Sequence, residues 1–177
     1  MHKFNKNLEK YTENEIKNLS SNKIVLAKNI EDISDFAKKE LQQKTSNSKI
    51  FIGKINKVIA DRIKKETNLN LENYNISLKG DNIRKIIKDH GNKTIENLRG
   101  QDAITIEDFC IIDDIILDAD EIYLSGKTKN NKDVITFKKK NKNLYTIIEF
   151  VSTKRKTLET HTMYKSIKKN SSTRDNS

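Results

Sequence analysis

The sequence predicts an α+β fold, with helices packed on one face of a four-stranded antiparallel sheet and a small N-terminal β-α-β extension. Three observations predict it. Apolar residues recur at helical spacing in segments between residues 30 and 116. From residue 121 the pattern changes to short β-rich runs separated by turns rich in Gly, Asn and Lys. Near the start, apolar runs at 23–27 and 49–52 bracket one helical segment, the β-α-β pattern. Helices followed by an antiparallel meander is an α+β order.

Residues 1–20 are polar and weakly amphipathic through Leu8, Tyr11, Ile16 and Leu19, which fits a docking helix or a loose arm. Asn29 is an N-cap for a helix through Ile33, Phe36, Ala37 and Leu41, with Glu31 and Asp32 at its positive dipole end. Ile55, Val58, Ile59 and Ile63 give a helix to about residue 66, and residues 74–78 fit a strand. The next helix has Asp81 as its N-cap, Ile83, Ile86 and Ile87 as its stripe, and Gly91 as its stop. His90 falls seven residues after Ile83 and so shares that stripe at the last turn. Such a position suits a core histidine bonded to a backbone carbonyl as well as a reactive one. Thr105 and Asp108 mark a capping-box start, and Ile106, Phe109, Ile112 and Ile116 form one face of an acidic helix.

The meander follows, with strands at 121–124 and 133–138 and then two more joined by the basic turn Lys154-Arg155-Lys156. In the last strand, period-two alternation points Leu158, Thr160, Thr162 and Tyr164 one way and Glu159, His161 and Met163 the other. That places a row of hydroxyls near fixed cations, a combination suited to gripping a phosphate. His161, facing away from Thr162 and Tyr164, reads as a surface residue. Residues 166–177 are Lys, Ser and Asn rich and read as a disordered basic tail. The domain boundaries follow as an extension over 1–52, a main domain over 53–165 and the tail.

Charge is unevenly spread along a chain of net charge +10. Residues 138–169 hold ten Lys/Arg against Glu149 and Glu159, whereas residues 102–121 hold eight acids and no Lys or Arg. A basic sheet predicts an anionic partner, most simply nucleic acid, although a solvated Lys-rich surface has the same composition. The lone Cys110 excludes an internal disulfide framework and a Cys-based zinc site, and three scattered His residues do not suggest a structural metal. No apolar run approaches the ~20 residues of a membrane span, and no signal-peptide core opens the chain, so a soluble cytoplasmic protein with no membrane partner is expected. Ser125-Gly-Lys-Thr128 ends like a phosphate-binding P-loop but lacks the upstream Gly and precedes a strand, which excludes a nucleoside-triphosphate site.

Five segments occur in a telling order: Lys88-Asp-His-Gly91, Arg99-Gly-Gln-Asp-Ala-Ile-Thr-Ile-Glu-Asp-Phe109, Leu124-Ser-Gly-Lys-Thr-Lys129, Arg155-Lys156 and Thr162-Met-Tyr-Lys165. In that order and spacing the chain, from about Gly53 to Lys165, resembles the phage-encoded nucleases of the barnase–EndoU–colicin–RelE-like superfamily. The family pattern often has a second His where Lys85 stands and an Arg where Ser152 stands. The resemblance implies a metal-independent endoribonuclease with no cofactor, acting as a phage or mobile-element toxin on RNA, tRNA included, and countered by an immunity or antitoxin protein. It implies His90, Arg155, Lys156, Thr162 and Tyr164 as active positions.

The reaction implied is attack of the RNA 2′-hydroxyl on its own 3′-phosphate, which needs a base, an acid and donors to the phosphate oxygens. Imidazole titrates near ~6.5 as a residue type, which makes His90 the candidate base or acid. Glu149 is either its partner or the outward residue of a half-buried strand. Arg155 and Lys156 would hold the phosphate, with Thr162 and Tyr164 donating to it, while Lys127, Lys129, Lys138 and Lys154 are candidate nucleic-acid contacts. Tyr123 and Tyr145 fit base stacking or plain sheet packing. Two other classes fit the same sequence: a non-catalytic nucleic-acid-binding module, and a phage-associated interaction protein using the acidic face of residues 102–121.

Overall fold

The computed structural model describes residues 24–167 and, ahead of them, Asn14 alone. The predicted helix over 1–20 and the tail beyond Ile167 lie outside the described residues. Eight strands form one sheet: β1 (Ile24–Leu26), β2 (Lys49–Lys54), β3 (Asn75–Lys79), β4 (Gln101–Asp102), β5 (Glu121–Lys127), β6 (Asp133–Lys140), β7 (Leu144–Ser152) and β8 (Thr157–Ser166). Six helices connect them among the described residues: α1 (Ile30–Leu41), α2 (Lys57–Thr67), α3 (Gly80–His90), α4 (Lys93–Leu98), α5 (Ile106–Phe109) and α6 (Ile112–Leu117).

The strand order is β1-β2-β3-β8-β7-β6-β5, with β4 also on β8. β1 runs parallel to β2 and β3 parallel to β8, and the other pairs are antiparallel. The sheet is therefore larger than the four strands expected, and mixed. Its last four strands are the predicted meander. The extension's two strands join the same sheet because β3 docks on the free edge of β8, a pairing across about eighty residues that no local pattern announces.

One contiguous core joins helices and sheet. Ile33, Phe36 and Ala37 of α1, Ile63 of α2, Ile83 and Ile86 of α3 and Ile112 and Ile116 of α6 pack with alternate strand residues Ile135, Phe137, Ile147, Val151, Leu158 and Met163. At ~25 cal/mol per Å² of apolar surface, this burial is the main stabilising term. The expected single acidic helix is two short helices, broken at Cys110 and Ile111; the capping box of Thr105 and Asp108 starts the first as predicted. α3 begins two residues earlier than expected, with Lys79 at its N-cap position and Asp81 in its first turn. Its start is pinned at Gly80, where a Cβ would lie 1.9 Å from Oε2 of the buried Glu40. Glu40 in turn accepts from Arg84 Nη1 at 3.1 Å, which ties α3 to α1.

β8 departs from regular alternation. Glu149 pairs with Thr160 but Ile148 pairs with Thr162, which leaves His161 as the extra residue of a β-bulge. Before the bulge Leu158 and Thr160 point into the core; after it Met163 and Lys165 do. The predicted hydroxyl row is thus split. Thr160 is fully buried beneath the sheet, while Thr162 and Tyr164 lie on the opposite, open face.

Candidate active site

The site is built on an unpaired stretch of β8. One edge of β8 pairs with β7 throughout, but the other pairs with β3 only over 157–160 and with β4 only over 165–166. Helix α3 runs beside the gap. Asn82 Nδ2 donates to the Thr160 carbonyl at 2.7 Å, Lys85 Nζ lies 3.5 Å from His161 Nε2, and the His90 ring centroid is 5.8 Å from that of Tyr164. The backbone of His90 is fixed as well, its carbonyl accepting from Ile104 N at 2.7 Å.

His90 does not sit in the core. It is partly exposed at the last turn of α3, where Gly91 ends the helix and Asn92 caps α4 by accepting from Ile95 N at 3.1 Å. α4 then brings Glu96 back beneath His90. His90 Nδ1 is 3.0 Å from Glu96 Oε2, and Arg99 Nη1 donates to Glu96 Oε1 at 2.7 Å. Glu96 is fully buried, and a buried carboxylate is tolerated when both oxygens have partners, as here. A carboxylate on Nδ1 sets the tautomer and ring orientation and leaves Nε2 for chemistry. Arg99 also donates to the Asp89 carbonyl at 3.2 Å, closing the cluster onto the end of α3.

Glu149 is elsewhere. It is fully buried on the core face, where Thr160 Oγ1 donates to its Oε1 at 2.6 Å and its Oε2 has no hydrogen-bond partner. Burial pushes its carboxyl well above the usual range, with the Thr160 hydrogen bond opposing, so it is held protonated. It does not share the open face with Thr162 and Tyr164, so a partnership with His90 across that face is corrected.

His161 also departs from expectation. The bulge turns Thr162 and Tyr164 onto the open face that His161 occupies, and the His161 ring stacks on Phe150 with centroids 4.0 Å apart and planes 16° apart. Burial and then the charge of Lys85 hold its imidazole below the ordinary value, with Glu159 opposing.

The cations divide into two groups. Lys138 lies on the open face in one cross-strand row with Thr146 and Tyr164, two strand spacings or roughly 10 Å from Tyr164. It is 5.2 Å from the Tyr123 ring centroid and 3.5 Å from Glu121 Oε2. Lys154, Arg155 and Lys156 are exposed in the β7–β8 turn, roughly 20 Å along β8 from Tyr164. Lys127, paired to Asp133 at 2.7 Å, and Lys129 lie in the β5–β6 hairpin at that same end of the sheet. The structure therefore sets His90 beside Tyr164, with Thr162 on the same face of β8 as Tyr164, but does not bring Arg155 and Lys156 to them. Arg155 instead adds to Lys49 and Lys79, which face each other across β2 and β3; burial, then Arg155, then Lys79 hold the Lys49 ammonium below its usual value.

Lys85, Glu96, Arg99, Phe150 and His161 were not singled out as site residues. Glu96 stands six residues after His90 behind a capping Asn92, and Arg99 opens one of the segments that carry the resemblance. Among the described residues no three His, Cys, Asp or Glu side chains form a metal cluster, and no helix is long and apolar enough to cross a membrane. Burial and then Glu107 push the Cys110 thiol up to about 11, which makes it a poor nucleophile.

Residues 53–173 match the family described as phage-Barnase-EndoU-ColicinE5/D-RelE like nuclease3. No curated protein and no solved structure matches the chain. The family match begins within β2, takes in more than half the chain and includes α3, α4 and all of β8. On that match the chain belongs to the phage-Barnase-EndoU-ColicinE5/D-RelE like nuclease family, as the order of its motifs implied.

Proposed function

We propose that this nuclease is a metal-independent endoribonuclease, of the phage or mobile-element toxin kind, that cleaves RNA through attack of the 2′-hydroxyl on the adjacent phosphate. The observation that carries the reading is the His90–Glu96 pair, 3.0 Å apart, at the unpaired edge of β8 beside Tyr164. A buried carboxylate that orients a partly exposed imidazole next to a donor hydroxyl is the arrangement acid–base catalysis needs. His90 transfers a proton through Nε2, and Thr162 and Tyr164 donate to the phosphate oxygens.

The cations at the β7–β8 turn and the β5–β6 hairpin are too far away to hold the scissile phosphate. They suit flanking phosphates of a longer RNA, with tRNA one candidate. A toxin of this kind would act in the cytoplasm and require an immunity protein in the cell that makes it.

The reading is tested with an RNA oligonucleotide and its fully 2′-O-methylated counterpart, both in EDTA. Cleavage of the first to fragments ending in 2′,3′-cyclic phosphate, with the second intact, is expected. Equal cleavage of both would exclude 2′-hydroxyl attack. Tight binding without cleavage of either would make the chain a nucleic-acid-binding module.

A further inference from the structure

We propose that His161 is the second acid–base residue of this site, accepting the proton of the 2′-hydroxyl while His90 supplies one to the leaving 5′-oxygen; this rests on the ribonuclease reading above.

The bulge is the first observation. In an unbroken strand Thr162 and Tyr164 would follow Leu158 and Thr160 into the core, on the face opposite His161; the inserted residue turns them onto the open face, beside His161. Bulges interrupt pairing at a cost and recur next to active sites for this reason. The second is rigidity. The stack on Phe150 fixes the ring plane, and α3 fills the gap on the other side. The third is electrostatic. The charged groups facing His161 are Lys85 from α3 and Glu159 two residues earlier on β8, and β7 offers only the Phe150 ring. Glu159 is already engaged by Lys79 at 2.9 Å, which leaves Lys85 to disfavour the imidazolium. The ring is therefore neutral near pH 7, the state a base requires.

Spacing completes the case. His90 lies five residues beyond Lys85 on α3, or about 7.5 Å along the axis. Tyr164 lies three residues beyond His161 on β8, or about 10 Å along the strand. Two imidazoles separated by about that much leave room for a phosphate with a hydrogen bond of about 3 Å at each end. In the step itself, the 2′-oxygen gives its proton to a ring nitrogen of His161 and forms a bond to phosphorus. The bond from phosphorus to the 5′-oxygen breaks, and that oxygen takes the proton from His90 Nε2. The products are a 2′,3′-cyclic phosphate and a 5′-hydroxyl, and water returns both rings to their starting states.

The test is the pH dependence of kcat/KM for the full chain on a defined RNA in EDTA. The wild type should show an acidic limb set by His161. His161→Gln should lose about 10²–10⁴-fold and the acidic limb with it. Lys85→Gln, which keeps His161 but removes its neighbouring cation, should move the acidic limb to higher pH. That second variant decides the matter if His161→Gln fails to fold. Wild-type-like cleavage by His161→Gln, or an acidic limb unmoved in Lys85→Gln, would overturn the proposal and leave the ribonuclease reading standing. Absence of cleavage by the wild type would instead remove both.

Discussion

Nδ1 of His90 lies 3.0 Å from Oε2 of Glu96, a carboxylate with no exposed surface whose other oxygen is held by Arg99. The pair makes Glu96 a positioning residue acting through the imidazole. Glu96→Gln keeps the shape but offers Nδ1 an amide that can present either a donor or an acceptor. Cleavage should fall by at least about tenfold, mainly in kcat, because the imidazole loses the partner that orients it. Kinetics alongside circular dichroism would check that the loss is not unfolding.

Glu149 yields a prediction of the opposite kind. Its folded pKa is raised above the ordinary 4.5, by burial first. The stability it permits is full below about pH 4.5 and is lost as pH rises toward the folded value, because the unfolded chain releases the proton that the folded chain retains. Glu149→Gln should therefore remove that pH slope, raise Tm at neutral pH and leave the cleavage rate within about twofold. Thermal melts from pH 4 upward, with rates measured in parallel, test it. A large loss of cleavage in a folded Glu149→Gln variant would restore Glu149 to the chemistry.

The fold was legible where the signal is local. The helical stripes through Ile33 and Phe36, and through Ile83 and Ile86, the capping box at Thr105 and the four strands of the meander follow from period and capping chemistry alone. The parallel pairing of β3 with β8 was not legible, because it depends on which free edge the β2–β3 unit meets after the meander closes. The same limit governs the site. His90 and Tyr164 were singled out and do meet. Glu149 was assigned to the wrong face because an acid in an apolar run reads as outward, and His161 was separated from Thr162 and Tyr164 because one inserted residue reverses all later parity in a strand. The basic turn was drawn too close, since nearness in sequence to the last strand is distance along it once that strand is extended.

Salt dependence should follow from the two groups of cations. If Lys154, Arg155 and Lys156 neutralise flanking phosphates, replacing all three with Ala should lower the slope of log Kd against log salt. The expected drop is up to about 2 for single-stranded RNA, at ~0.7 per phosphate contact. Titrations of the non-cleaving His90→Ala chain from 50 to 300 mM salt would read it, with roughly equal losses across RNA sequences. An unchanged slope would make that turn an ordinary solvated surface.

The central claim is that His90 performs proton transfer on RNA without a metal, and its most direct measurement pairs the wild type with His90→Ala on total RNA and tRNA in EDTA. The account predicts discrete fragments ending in cyclic phosphate from the wild type, and a loss of at least about a hundredfold in the variant with RNA binding retained. Cleavage that disappears in EDTA, or that persists at the wild-type rate in a folded His90→Ala chain, would contradict it.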